Sequence, residues 1–133
     1  MKVVADTNEL FSFFNRRSLA RSLALSDDLE VFAPVYALEE LEDHKEKILQ
    51  VFSLRAEQYL VILRLLRTVI VFVELEEYED RMKEAGAISP DPDDADFFAL
   101  ALKLSCPLWS EDRRLAGQGR VRLIATNELK RLV

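Results

Sequence analysis

Lys2-Val3-Val4-Ala5-Asp6-Thr7-Asn8 is a short apolar run that stops at three consecutive capping residues. Such a run reads as a buried strand, and Asp, Thr and Asn each accept hydrogen bonds from the free N–H groups at a helix start. The stretch therefore predicts a strand that turns directly into a helix. Leu10, Phe13 and Phe14 would supply that helix's core face.

The same alternation continues outward from this unit. A helix is expected over 17–25, ended by Ser26-Asp27-Asp28, and a second strand over 30–33. Pro34 fits the first turn of a helix whose core face is Ala37, Leu38, Leu41 and Ile48. A long helix over about 53–68 leads into the β-branched strand 69–73, and a helix over 75–84 is expected to stop near Gly86. Ser89-Pro90-Asp91-Pro92-Asp93-Asp94 is a turn with several possible N-caps. An apolar helix carrying Phe97, Phe98, Leu100, Ala101, Leu102 and Leu104 follows it. Strands are expected over 107–109 and 121–124, with Thr126 capping a closing helix. Strands alternating with helices predict one α/β domain over 1–133, with a central parallel sheet as the middle of three layers.

Composition narrows the class. The chain has 133 residues, half of them hydrophobic, and a net charge of −6. Cys106 is the single cysteine, so no intrachain disulfide forms, and an apolar setting predicts a buried, inert thiol. The opening residues lack the apolar core of a secretory signal. The most apolar stretch, 59–73, is broken by Arg64, Arg67 and Thr68 and is too short and charged to span a bilayer. A cytoplasmic protein without membrane association is expected. The surplus of apolar residues over 59–66 predicts self-association into a homo-oligomer. An acidic total opposes simple electrostatic capture of nucleic acid. It is compatible with nuclease action if the carboxylates gather in one pocket neutralised by a divalent cation.

Two acids stand directly after strands, Asp6 and Asp112. Asp94 opens the helix that leads into the 107–109 strand, and Glu40 lies about a turn and a half into the helix after the second strand. Ligands of open parallel sheets bind outside the carboxyl ends of the strands, so the four can meet at one edge. Hard divalent cations take carboxylate oxygens, and phosphodiester cleavage with such ions needs several carboxylates held together. Taken singly, Asp6, Asp94 and Asp112 read equally as helix caps and Glu40 as a solvated residue. Caps do not account for their joint placement. Phosphoryl transfer through an aspartate fits less well, because Asp6-Thr7-Asn8 is not Asp-x-Asp. No GxxxxGK or GxGxxG loop occurs, and Cys106 with the solvent-facing His44 makes a poor nucleophile pair.

Four segments in order carry a resemblance. Val4-Ala5-Asp6-Thr7-Asn8-Glu9-Leu10-Phe11 is similar to the opening of PIN-domain proteins, whose first strand ends in Asp-x-Asn. Pro34-Val35-Tyr36-Ala37-Leu38-Glu39-Glu40-Leu41 resembles their second motif, an acid preceding Leu. The run from Asp91 to Leu102 resembles the third, and Pro107-Leu108-Trp109-Ser110-Glu111-Asp112 the fourth. The set resembles archaeal PIN-domain and VapC-like ribonucleases. The resemblance implies a Mg²⁺- or Mn²⁺-dependent endoribonuclease acting on RNA, of the toxin or RNA-processing kind, with an antitoxin protein as a possible partner. Carried over residue by residue, it implies Asp6, Glu40, Asp94 and Asp112 as catalytic metal ligands, with Asp96 as an additional candidate and Asp93 as a cap. Glu40 is preferred to Glu39 because it directly precedes Leu41. Asn8 and Ser110 would orient the carboxylates, and Arg113 and Arg114 are candidates for phosphate contacts. Arg16, Arg17 and Arg21 read as solvated surface. A non-catalytic RNA-binding or assembly module on the same fold is the competing reading.

Overall fold

In the computed structural model, which describes residues 1–133, the first strand is β1 (Lys2–Ala5), with Val3, Val4 and Ala5 fully buried. Asp6 ends it and caps α1 (Thr7–Ser12), as the opening stretch predicts. The chain continues through α2 (Leu19–Ala24), β2 (Glu30–Pro34), α3 (Tyr36–Asp43), α4 (Lys45–Val51), α5 (Ala56–Val69) and β3 (Ile70–Val73). It then passes through α6 (Leu75–Tyr78), a 3₁₀ turn (Glu79–Arg81), α7 (Met82–Ile88), a 3₁₀ turn (Pro92–Asp94) and α8 (Ala95–Leu104). Finally come β4 (Leu108–Trp109), a 3₁₀ turn (Arg113–Gly117), β5 (Leu123–Ile124) and α9 (Thr126–Leu132).

All strands are parallel, in the order β3-β2-β1-β4-β5, with Val4 opposite both Phe32 and Leu108. The path steps from β1 to β2 to β3, then crosses back to β4 and β5 on the other side of β1. Right-handed crossovers place helices on opposite faces for the two directions, which makes the three layers. The reversal lies between β1 and β4, where the carboxyl ends leave a crevice. Helix α8 packs across β1, β2 and β4, burying Phe97, Phe98, Ala99, Leu100 and Ala101. Truncating Leu100 or Phe98 to Ala would remove about 2–5 kcal/mol of stability.

Several boundaries differ from expectation. Pro34 is the last residue of β2, opposite Val73, and the helix starts only at Tyr36. The next N–H, that of Val35, donates to the Val73 carbonyl, so a strand-end proline loses no ladder bond. The expected continuous helix across Leu41 and Ile48 is broken at His44 (φ −105°, ψ 13°). Ser53, at φ 52°, makes a left-handed turn between α4 and α5. Gly86 lies inside α7, which runs to Ile88. The last strand is shorter than 121–124 because the Gln118 side chain takes both the N–H and the carbonyl of Val121. Thr126 does not cap α9; its own N–H donates to Glu111 at 2.6 Å.

Candidate active site

The end of β1 places Asp6 at the switch between β1 and β4. Its backbone N–H donates to the Trp109 carbonyl at 3.1 Å. Its side chain is 8% exposed; Oδ1 accepts the Glu9 N–H at 3.0 Å and Oδ2 accepts the Ser110 hydroxyl. The Ser110 oxygen in turn accepts the Asp112 N–H at 3.0 Å, tying the β1 carboxylate to the loop that carries Asp112. Burial pushes Asp6 up to about 6 against these hydrogen bonds, and the charges of Asp94 and Asp112 add to the rise.

Glu40 comes from α3 and is half-buried, its Oε1 accepting the Thr7 hydroxyl at 2.5 Å. Asp94 precedes α8, and its side chain makes no capping hydrogen bond. Both acids are raised above the ordinary carboxylate range, first by burial and then by neighbouring carboxylates. Asp6, Glu40, Asp94 and Asp112 line one cavity of about 330 Å³, with Thr7, Asn8, Asp91, Asp93 and Arg114 also on its wall. The four expected acids thus reach one crevice from four separate segments.

Individual roles divide less simply. Asp112 is held in a two-pronged pair by Arg114, with Nη2 at 2.8 Å and Nε at 3.0 Å, and that guanidinium lowers its pKa. Asp6 and Asp112 do act as caps, accepting from Glu9 N and Arg114 N, whereas Asp94 does not. Asp91 rather than Asp93 caps the 3₁₀ turn that leads into α8. Asp96 is off the cavity, because its Oδ2 accepts the Tyr78 hydroxyl at 2.6 Å. Glu39 is exposed. Asn8 sits exposed on the rim without a hydrogen bond to any carboxylate, and Thr7 beside it is the residue that orients one. Arg114 lines the cavity and Arg113 does not. His44 is exposed as expected, yet it also stands on the rim, its ring edge against Phe11. Cys106 is half-buried rather than buried, and burial pushes its thiol up to about 11, which disfavours the thiolate.

Glu9 went unnoticed in the sequence. It is 4% exposed and pushed up to about 8, first by burial, then by the Asp6 and Glu111 charges. Thr126 Oγ1 donates to its Oε2 at 3.4 Å, and Trp109 Nε1 donates to that same hydroxyl at 3.0 Å. Its spacing three residues after Asp6 is that of a capping box, which disguises a buried acid as a routine cap.

No three His, Cys, Asp or Glu side chains stand in a ready-made metal-holding group. The donor chemistry nevertheless fits a hard divalent cation. Asp6, Glu40 and Asp94 form no salt bridge, all three resist ionisation, and all are oxygen donors on one wall. A cation is the group that would offset that repulsion.

Residues 4–132 match a family model described as PIN domain. No curated protein matches the chain. Among solved structures, the chain is similar to one in the crystal structure of VapBC2 from Rickettsia felis bound to a DNA fragment from their promoter. That similarity has a TM-score of 0.68 at 14% identity, covering 94% of this chain and 98% of that one, and it concerns the fold. No helix is long and apolar enough to cross a membrane.

Proposed function

This chain belongs to the PIN-domain family, whose members are generally nucleases that use divalent metal ions, and we propose that it is a Mg²⁺- or Mn²⁺-dependent endoribonuclease. The observation that supports this most is the meeting of Asp6, Glu40, Asp94 and Asp112 in one cavity, three of them without a salt bridge. In this reading those four hold the ion. When bound, the metal supplies charge neutralisation at the scissile phosphate and a water of lowered pKa.

The protein's own groups prepare that chemistry. Glu9 N–H and the Ser110 hydroxyl fix the Asp6 carboxylate, and Thr7 fixes Glu40. Preset donors and acceptors of this kind need no rearrangement during reaction. Arg114 neutralises Asp112, and its side chain, 85% exposed, has N–H groups left over for a phosphate oxygen. The nucleophile is water, so no side chain has to be attacked or regenerated.

The VapBC2 likeness supports a further part of the reading, that this chain has a partner protein of the antitoxin kind. We infer a cytoplasmic protein, and a homo-oligomer built on the exposed Leu60 of α5. Incubation of labelled RNA with Mn²⁺, with and without chelator, tests the central claim. Cleavage that chelator abolishes and Asp6→Asn removes is expected, and its absence overturns the reading. Two observations favour the non-catalytic alternative: Asp112 is engaged by Arg114, and no metal-holding group is preformed. The same assay decides between them.

A further inference from the structure

A larger cavity, about 690 Å³, lies at the other end of α1. It is lined by Arg16, Arg17, Arg21 and Arg55, with Phe14 and Phe52 among the apolar residues. Glu57 is the single acid on its wall, so the charge there inverts the chain's net −6. Arg55 has only a 3.5 Å contact with Glu57, both side chains being 73% exposed. Arg16, Arg17 and Arg21 form no ion pair. Arg21 is half-buried, and its guanidinium donates only to the Phe13 carbonyl, with Nε at 2.7 Å. A partly desolvated guanidinium without an anion is unfavourable unless a ligand supplies one.

Two helices connect this cavity to the acidic one. Helix α1 is capped by Asp6 on the acidic wall and ends beside Phe14 on the arginine wall. Helix α4 starts at His44 on the acidic rim and ends at Phe52 in the arginine cavity. With six and seven residues at 1.5 Å rise, each helix spans about 10 Å. A few nucleotides of single strand cover that distance.

We propose that the arginine-lined cavity between the end of α1 and the α4–α5 turn is a second binding site, which holds the phosphodiester backbone of single-stranded RNA. Guanidinium groups match phosphate oxygens two at a time, and half-buried Phe52 gives a base a surface to stack on. The connection to the acidic cavity rests on the ribonuclease reading; the site's affinity for RNA does not. An RNA strand anchored here would lie across the carboxylates, which explains how an acidic protein holds a polyanion.

The test is fluorescence anisotropy of a labelled oligouridylate with the full chain in EDTA, so that neither metal nor turnover enters. The Arg16→Gln/Arg17→Gln double variant should bind about tenfold more weakly, and the slope of log affinity against log salt should fall by about 0.7 per arginine. Phe52→Leu should weaken binding while leaving that slope unchanged. Arg131→Gln, which removes one charge at an exposed position of α9, should bind like the parent. Asp6→Asn should bind RNA in EDTA at least as tightly as the parent but fail to cleave in Mn²⁺. If the parent does not cleave in Mn²⁺, the ribonuclease reading fails and the arginine site stands; if Asp6→Asn cleaves normally, only the assignment of Asp6 to the metal fails. If the double variant keeps its affinity and salt slope at an unchanged Tm, the arginine site is refuted. Arginine-dependent binding of polyglutamate without binding of oligouridylate would refute it too, and assign the cavity to an acidic protein segment.

Discussion

Replacing Asp6 with Asn in the metal-free protein should raise its stability at neutral pH. The carboxyl titrates near 3.8 in an unfolded chain and about 6 in the fold, chiefly because it is buried. The folded state therefore disfavours its ionised form by about 3 kcal/mol. Well below about pH 4 the group is protonated whether folded or unfolded, and no penalty exists. The penalty develops as pH rises from about 4, where the unfolded chain ionises, to about 6, where the folded carboxyl does, and changes little above that. Asn keeps an oxygen for the Glu9 N–H, and its amide can donate to the Ser110 oxygen. Those bonds become neutral, so the net gain should be about 2 kcal/mol, or roughly 8 °C in Tm. Melting curves in EDTA from about pH 4 to about pH 8 measure this, and the gap between variant and parent should open with pH. Mn²⁺ at a hundredfold excess over Kd should raise the parent by about 2.7 kcal/mol and the variant by much less, reversing the order. If Asp6 served only as a cap, no pH-dependent gap and no Mn²⁺ response would appear, because Asn caps about as well as Asp. A variant no more stable than the parent at every pH in EDTA, with Tm values indifferent to Mn²⁺, would refute the charge argument and the metal site together.

Glu40→Gln, Asp94→Asn and Asp112→Asn should each lower RNA cleavage about a hundredfold or more, whereas the exposed Glu39→Gln should remain near the parent rate; initial-rate assays with labelled RNA check this. Tyr59→Phe should leave stability unchanged or raise it by up to about 1 kcal/mol, since the Tyr59 hydroxyl is buried without a partner and the ring keeps its 5.0 Å stack on Phe14. Thermal melts showing a loss would mean that the hydroxyl has a partner after all. Sedimentation should find an oligomer that Leu60→Glu dissociates, Leu60 being 52% exposed on α5. A monomeric parent at tens of micromolar would remove that idea without touching the cleavage claim.

The order of elements was legible in the sequence because strand and helix periodicities are local. Lys2-Val3-Val4-Ala5 followed by Asp6 needs no distant partner to read as a strand that becomes a capped helix. The alternation alone implied parallel strands, and the rule that ligands sit beyond their carboxyl ends singled out the four acids now found on one wall. Element ends were less legible where a distant group intervened, as Gln118 does at Val121 and Glu111 does at Thr126.

Choices between neighbouring residues belonged to the tertiary structure. Glu39 and Glu40 are chemically alike in sequence; one residue's rotation around α3, about 100°, and the Thr7 hydroxyl, 33 residues away, separate the exposed one from the one on the cavity. Asp96 looked like a spare ligand until Tyr78 was seen to occupy its carboxylate. Ser110 reaches Asp6 across 104 residues. Glu9 becomes a buried, hard-to-ionise acid only because Trp109 and Thr126 close over it. The arginine cavity exists because α1 and α4 end together, though Arg16 and Arg55 lie far apart along the chain. Periodicity decides which face of an element is buried, within a few residues of chain. Burial, ionisation and hydrogen-bond partners depend on which faces meet, and that is known only once the whole chain has folded.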